Sequence, residues 1–168
     1  PDAQRFPSYE NALAIPKFAD AILITMPDLL HHPAAIRGLE LGYDILLEKP
    51  IATSWKHCEE ILAQHERFPR IVAICHVLRY TRYFRKLKEI VSSGVLGEVV
   101  TIEHLEPVGY WHQGHSFVRG NWRNVATSSP MILSKSCHDL DIIRWLMDTP
   151  CLSVTSYGSL KHFKKENA

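Results

Sequence analysis

Residues 44–50 have the sequence DILLEKP, in which a short apolar run ends at a lysine and a proline. The run at residues 44–47 predicts a buried strand. Lys49 would then lie at the carboxyl end of that strand, which is the edge where open α/β sheets bind ligands. A lysine there can hold a substrate oxygen and exchange a proton with it. The alternative is a solvated lysine in a tight turn before Pro50.

Two more apolar runs predict strands parallel to this one. Residues 20–25 (DAILIT) and 70–75 (RIVAIC) are short and rich in branched apolar residues, as buried parallel strands are. The intervening segments 32–41 and 54–66 carry apolar residues at helical spacing. Strand–helix–strand–helix–strand order of this length implies right-handed crossovers and a parallel sheet.

Capping residues mark the ends of the predicted helices. Either Thr53 or Ser54 is the expected N-cap of the 54–66 helix, because a side-chain oxygen there accepts from a free backbone N–H. Gly42 follows the predicted 32–41 helix, and Gly94 follows a further helix predicted over residues 82–93. Glycine is favoured at this C′ position.

After about residue 80 the pattern changes. Residues 98–106 and 151–160 alternate apolar with polar side chains, which is typical of half-exposed antiparallel strands. A helix is predicted over roughly residues 131–147, opened by Pro130. The change predicts two parts, residues 1–80 with a parallel sheet and residues 81–168 with antiparallel strands.

Composition narrows the functional class. The formal net charge is +1, with 46% hydrophobic and 22% charged residues, so no nucleic-acid partner is indicated. No apolar run reaches membrane length. The four cysteines lack CxxC spacing, which predicts reduced thiols and a cytoplasmic location. His104, His112 and His115 are too loosely spaced to predict a metal site.

Three motifs together resemble one enzyme family. Residues 24–28 (ITMPD) with His31, residues 48–50 (EKP) and residues 138–141 (HDLD) resemble the glucose–fructose oxidoreductase/inositol dehydrogenase (Gfo/Idh/MocA) family. Residues 110–124 resemble one subgroup of it. The resemblance implies an enzyme that transfers hydride between NAD or NADP and a sugar-like or polyol carbon.

The resemblance also implies the fold class, which is α/β. We expect the C-terminal part of a Rossmann-type parallel-sheet domain (residues 1–80), followed by the start of an α+β, mostly antiparallel substrate and oligomerisation domain (residues 81–168). The sequence contains no GxGxxG motif. We therefore expect roughly 60–70 preceding residues, if two strand–helix repeats are absent, and most of a sheet after residue 168. The 168 residues alone are expected to be inactive.

Site residues follow from the resemblance by position. Lys49 and His138 would be catalytic and would face each other across a substrate hydroxyl, although a histidine on such a helix can also be a structural core residue. The cofactor would be bound by Thr25, Pro27, His31, Glu48, Lys49, Trp122 and Arg123. Four substrate contacts are expected from the residues themselves and not from the resemblance. Arg79 follows the third strand at another carboxyl end, His112 and His115 lie in the polar and aromatic loop, and Asp141 shares a helix face with His138. Arg79 could instead pair with an acid, and Asp141 could instead hold a loop or helix donor.

One position departs from the family. Several family dehydrogenases carry an aspartate four residues before the histidine, where this chain has Ser134. Two alternatives therefore stay open: an NAD-dependent glycosidase of the same family, and a non-catalytic sugar- or nucleotide-binding protein on the same scaffold. The expected partners are a small carbohydrate-like substrate and, through the C-terminal sheet, further copies of the same chain.

Overall fold

A computed structural model describes residues 4–167 of the chain. The chain divides into two compact units, one ending at Cys75 and the other beginning at His76. In the described residues, no helix is both long enough and apolar enough to cross a bilayer.

The first unit is built on a three-stranded parallel sheet. Its strands are β1 (Ala21–Ile24), β2 (Asp44–Leu47) and β3 (Val72–Ile74), in the order β1-β2-β3. Ile24 pairs with Leu47, so β1 and β2 end side by side. The parallel sheet expected from the alternation of strands and helices is confirmed.

Three helices accompany the sheet: α1 (Tyr9–Leu13), α2 (His31–Glu40) and α3 (Trp55–Arg67). Crossovers of the same hand place α2 and α3 on one face, where they enclose a single apolar core. The core contains Leu13, Ile24, Ala34, Ala35, Leu39, Tyr43, Ile45, Leu47, Ala52 and Ile61. Gly38 permits this packing, because a Cβ there would lie 2.6 Å from Ile22 Cδ1.

The opposite face of the sheet is open. Leu23 is 67% exposed and Leu46 is 40% exposed, while Leu47 on the covered face is 0% exposed. The apolar runs predicted strands buried on both faces; the strands form, but both crossover helices lie on the same side.

Local sequence signals predicted the helix ends well. Ser54, and not Thr53, caps α3 by accepting from the His57 N–H. Gly42 follows α2 with a φ of 78°, a left-handed conformation that costs glycine little.

The second unit is helical in its described part. Its main helices are α4 (Arg82–Ser92), α5 (Tyr110–Gln113) and α6 (Met131–Met147). A 3₁₀ turn at Val77–Tyr80 precedes α4, and α5 continues into a π-helical segment at Gly114–Arg119. α4 packs against α6. The bounds of α6 coincide with those expected from the sequence.

The strands predicted for residues 98–106 and 151–160 are not formed in the structure. Residues 99–109 and 150–161 have no regular secondary structure. Val100 and Leu152 are 88% and 94% exposed. A strand exists only through ladder bonds to a neighbour, and two strands alone do not make a stable sheet. The antiparallel part of the predicted fold is therefore not confirmed in the described residues.

Candidate functional site

In the first unit, the predicted site residues collect at the carboxyl edge of the sheet. The Glu48 N–H donates to Ile24 O at 3.0 Å, and the Cys75 N–H donates to Leu47 O at 2.8 Å. These hydrogen bonds join neighbouring strands at their carboxyl ends, where each strand is followed by a loop. The loop after β1 and the loop after β2 therefore start next to each other, at the edge where parallel sheets receive nucleotides.

His31 links these two loops through hydrogen-bond contacts to both. Its ring is 1% exposed, with Nδ1 2.7 Å from Pro50 O and Nε2 2.9 Å from Met26 O. Both oxygens are acceptors, so the imidazolium can donate to both whereas a neutral ring donates to only one. The ring thus ties the loop after β1 to the EKP turn. The cofactor contact expected for His31 stays a prediction, and what the structure shows is this positioning role.

The surface of this edge carries the other predicted residues. Thr25 and Pro27 are exposed, while Glu48 and Lys49 are half-buried. The Lys49 N–H donates to Glu48 Oε2 at 3.0 Å, and the Lys49–Pro50 peptide bond is cis. The structure therefore gathers Thr25, Pro27, Glu48 and Lys49 where a ligand could meet them.

In the second unit, α6 places His138 and Asp141 three residues apart and so on one face. Arg79 approaches Asp141 as a fork, with Nε 2.7 Å from Oδ2 and a terminal nitrogen 2.6 Å from Oδ1. This carboxylate raises the pKa of Arg79. Of the two alternatives for Arg79, the structure shows the pairing with an acid. Substrate contact by Arg79 or Asp141 stays a prediction.

His76 joins this cluster, and the sequence analysis did not single it out. Its Nδ1 lies 4.0 Å from Asp141 Oδ2. Its ring meets the His138 ring edge-to-face, with centroids 5.9 Å apart. The available signal was its position directly after the third strand, which is the reasoning that selected Arg79.

The middle aspartate of the HDLD motif has a different partner. Asp139 is 9% exposed and its Oδ1 lies 2.8 Å from His104 Nε2. This pair joins α6 to the extended segment at residues 99–109. His104, one of three histidines weighed as metal ligands, is engaged by a carboxylate.

Ser134 occupies the position where several family dehydrogenases carry an aspartate. It is 4% exposed, and its hydroxyl lies 2.6 Å from that of Ser129, which is 0% exposed. A buried pair of hydroxyls takes the place of a carboxylate. This chain therefore has no carboxylate four residues before His138, and Lys135 follows Ser134.

The segment at residues 110–124 forms an aromatic cluster. His112 meets Trp111 at 5.5 Å and Phe117 at 6.1 Å between ring centroids, and Phe117 meets Trp122 at 6.3 Å. His115, Trp122 and Arg123 are exposed. An Arg123 guanidinium nitrogen donates to Arg119 O at 3.1 Å. His112 and Trp122 are thus part of the aromatic packing, while His115 and Arg123 are exposed.

Comparisons with known proteins agree with this arrangement. Residues 1–76 match the family described as "Oxidoreductase family, NAD-binding Rossmann fold", and residues 88–168 match its partner, "Oxidoreductase family, C-terminal alpha/beta domain". The expectation of a nicotinamide dinucleotide is confirmed for the family by the first description.

Individual relatives are similar but longer. The chain is 29% identical to an inositol 2-dehydrogenase of Corynebacterium glutamicum, covering 92% of this chain and 42% of the relative. It is 27% identical to a 2,7-anhydro-N-acetylneuraminate hydratase of Mediterraneibacter gnavus, covering 83% and 36%. The chain thus spans about two fifths of the length of these curated relatives.

A solved structure shares the fold. The myo-inositol dehydrogenase of Lactobacillus casei, in complex with NAD(H) and myo-inositol, superposes with a TM-score of 0.68 at 21% identity, over 87% of this chain and 40% of that one. At this identity the likeness concerns the fold. With both matched segments in the same order, the chain belongs to the Gfo/Idh/MocA family of oxidoreductases.

Proposed function

We propose that the full-length protein is an NAD- or NADP-dependent oxidoreductase that acts on a CH–OH group of a sugar-like or polyol substrate. Residues 1–80 would be part of its Rossmann domain, and residues 81–168 would begin its substrate domain. Membership of an oxidoreductase family supports the reaction class. The inositol 2-dehydrogenase relative supports the substrate class.

The observation that carries the proposal is the paired loops at the sheet edge. Thr25 and Pro27 are exposed on the loop after β1, and Glu48 and Lys49 are half-buried on the loop after β2. His31 holds the loops in register. These residues fit the nicotinamide side of a dinucleotide, while the glycine-rich loop that would hold the pyrophosphate is not in this sequence.

In this proposal, side chains of the protein carry out the proton transfer. The nicotinamide supplies hydride chemistry when bound. We assign Lys49 to hold the substrate oxygen and exchange its proton, and His138 to act as the second proton-transfer group. Arg79 and Asp141 keep the face of α6 that bears His138 in place. Trp122 and Arg123 are exposed and would contact the cofactor; His112 and His115 would contact substrate.

Two further features belong to the full-length protein. We propose that residues 98–106 and 151–160 join a mostly antiparallel sheet there, and that this sheet also pairs copies of the chain. The alternation of both segments and the exposure of Val100 and Leu152 support this. The four cysteines are free thiols, which supports a cytoplasmic location.

The test uses the full-length protein with NAD or NADP and myo-inositol among a panel of polyols. Turnover is followed by absorbance at the NADH band, and cofactor binding by calorimetry. Lys49→Met should lower kcat by about 10²–10⁴-fold, the usual contribution of one positioned acid or base, while cofactor affinity is kept.

Lys86→Met is the matched control, because Lys86 is an exposed lysine whose side chain pairs with Glu89 at 2.6 Å. Its kcat should equal that of the wild type. Undiminished kcat in Lys49→Met would remove the catalytic assignment. Failure of the wild type to bind either dinucleotide would refute the proposed function.

A second candidate reaction has an observation in its favour. One relative is named as a hydratase, and adding or removing water involves no net oxidation. Ser134 in place of an acid is a further departure from several family dehydrogenases. Product formation without net NADH would favour this candidate, or the NAD-dependent glycosidase if a glycoside is cleaved. Binding of sugar and dinucleotide without any turnover would favour a non-catalytic binding protein.

A further inference from the structure

Three potential ligands converge in the helical layer of the first unit. His32 lies in the first turn of α2, and His57 and Glu60 lie three residues apart near the start of α3. One nitrogen from each histidine and one carboxylate oxygen all lie within 4.8 Å of one another. All three side chains are half-buried. The group thus joins two helices that are separate in sequence.

The contacts within the group are unusual for a simple ion pair. The two imidazole rings stack, with centroids 4.2 Å apart and an interplanar angle of 14°. His32 Nε2 is buried and lies 2.8 Å from Glu60 Oε2. The nitrogen and the carboxylate therefore already face each other at a distance close to that between two ligands of one metal ion.

The donor set is also chemically suitable. Two histidines and one carboxylate are the protein ligands of several catalytic zinc sites and of non-haem iron sites. A His-x-x-Glu pair, as in residues 57–60, puts both ligands on one helix face. Zinc bonds of about 2.0–2.2 Å require donor atoms roughly 3.3 Å apart in a tetrahedral site. The ligand atoms now lie within 4.8 Å of one another, and rotation of these half-buried side chains about their χ angles would bring them to that spacing.

An ion could reach the group and keep an open position. A cleft of about 440 Å³ is lined by His32, Ile36, Glu60, Ala63, Gln64 and Arg67. Water from this cleft could fill a fourth position. One contact opposes binding: Lys56 Nζ lies 3.7 Å from Glu60 Oε1. That lysine is 81% exposed, so it can swing into solvent when a metal takes its place.

We propose that His32, His57 and Glu60 form a site for a divalent transition metal such as Zn²⁺, which clamps α2 to α3. The site is independent of the proposed redox function. Its effect would be to fix the start of α2, the turn that also carries His31. This site was not predictable from the sequence, because nothing local brings residues 32 and 57 together.

The test is zinc binding by purified protein that contains the whole chain, without a histidine tag and after removal of metals by chelation. Calorimetry with zinc chloride should show one ion per chain, and the melting temperature should rise with zinc concentration because only the folded state holds the site. Co²⁺ should give the strong visible band of a tetrahedral site.

Glu60→Gln and His57→Ala should each weaken zinc binding at least tenfold and remove the thermal shift. His65→Gln is the control, because His65 lies on the same helix outside the group, and its zinc affinity should be unchanged. Circular dichroism before titration identifies any variant that is unfolded. If His57→Ala is unfolded, the zinc affinity of Glu60→Gln alone tests the proposal. A wild type without a zinc response, or a response that survives in Glu60→Gln, would overturn the proposal.

Discussion

Each of the two units is stabilised internally by a different kind of contact. In the described part of the first unit, ten buried apolar residues form one cluster. In the described part of the second, Ile142 and Leu146 are the buried apolar residues, and they are accompanied by four buried polar ones: Ser128, Ser129, Ser134 and Asp139. A unit that buries little apolar surface depends more on directional polar contacts.

Those polar contacts converge on α6. Arg79 binds Asp141, His104 binds Asp139, and Lys88 Nζ donates to Trp145 O at 2.7 Å. The Arg79 guanidinium and the Lys88 ammonium each lie 5.8 Å from the centre of the Trp145 ring. Apolar burial is non-directional and grows with area, whereas these contacts need particular partners. The second unit should therefore be sensitive to single polar changes.

The largest effect is expected in the apolar core. Leu47→Ala removes a 0% exposed side chain and should lower the free energy of unfolding by about 3 kcal/mol. Leu46→Ala on the same strand removes a 40% exposed side chain and should cost less than about 1 kcal/mol. Urea unfolding followed by far-ultraviolet circular dichroism measures both. Equal losses would mean that the open face of the sheet contributes as much as the covered one.

A smaller effect is expected from the Arg79–Asp141 pair. Asp141→Asn leaves Arg79 without its counter-charge. Because Arg79 is 37% exposed and water screens it, the expected loss is roughly 1–2 kcal/mol. Urea unfolding followed by intrinsic tryptophan fluorescence, to which Trp145 contributes as one of four tryptophans, measures the loss. Glu89→Gln, which breaks the exposed Lys86 pair, should change stability by less than about 0.5 kcal/mol. Equal effects would show that the pair on α6 is only a surface contact.

The smallest effect concerns pH in the first unit. Burial and His57 lower the pKa of His32 below its ordinary value of 6.5. His32 therefore binds a proton more readily in the unfolded chain than in the folded protein. The contribution of neutral His32 to stability is present above about pH 6.5 and is lost as pH falls through the folded pKa. In His32→Gln, measured with chelator present, the stability–pH curve should be flatter below pH 6.5. His65→Gln should keep the wild-type slope; flattening by both variants would assign the acid sensitivity elsewhere.

Much of the fold could be predicted because its signals are local. The parallel strands, the Ser54 cap, the Gly42 helix end and the bounds of α6 each depend on residues within a few positions of one another. The carboxyl edge bearing Glu48 and Lys49 followed from strand order alone. The family predicted from three short motifs is confirmed by the family matches over residues 1–76 and 88–168.

The strands predicted for residues 98–106 and 151–160 show the limit of such signals. Alternation describes which side chains would face a core, and it does not supply the neighbouring strand. Without a ladder partner in the described residues, both segments remain irregular. A strand is a property of a pair of segments, in contrast to a helix, whose hydrogen bonds are internal.

By itself, the sequence determined the three parallel strands, the helices between them, the bounds of α6 and the family. Tertiary structure alone decided which distant groups meet: His31 with Pro50 O, Arg79 with Asp141 across 62 residues, and His32 with His57 and Glu60. Caps and turns form between residues a few positions apart, so the chain specifies them locally. Side chains dozens of residues apart meet only after the packing of apolar faces has brought their helices and strands together.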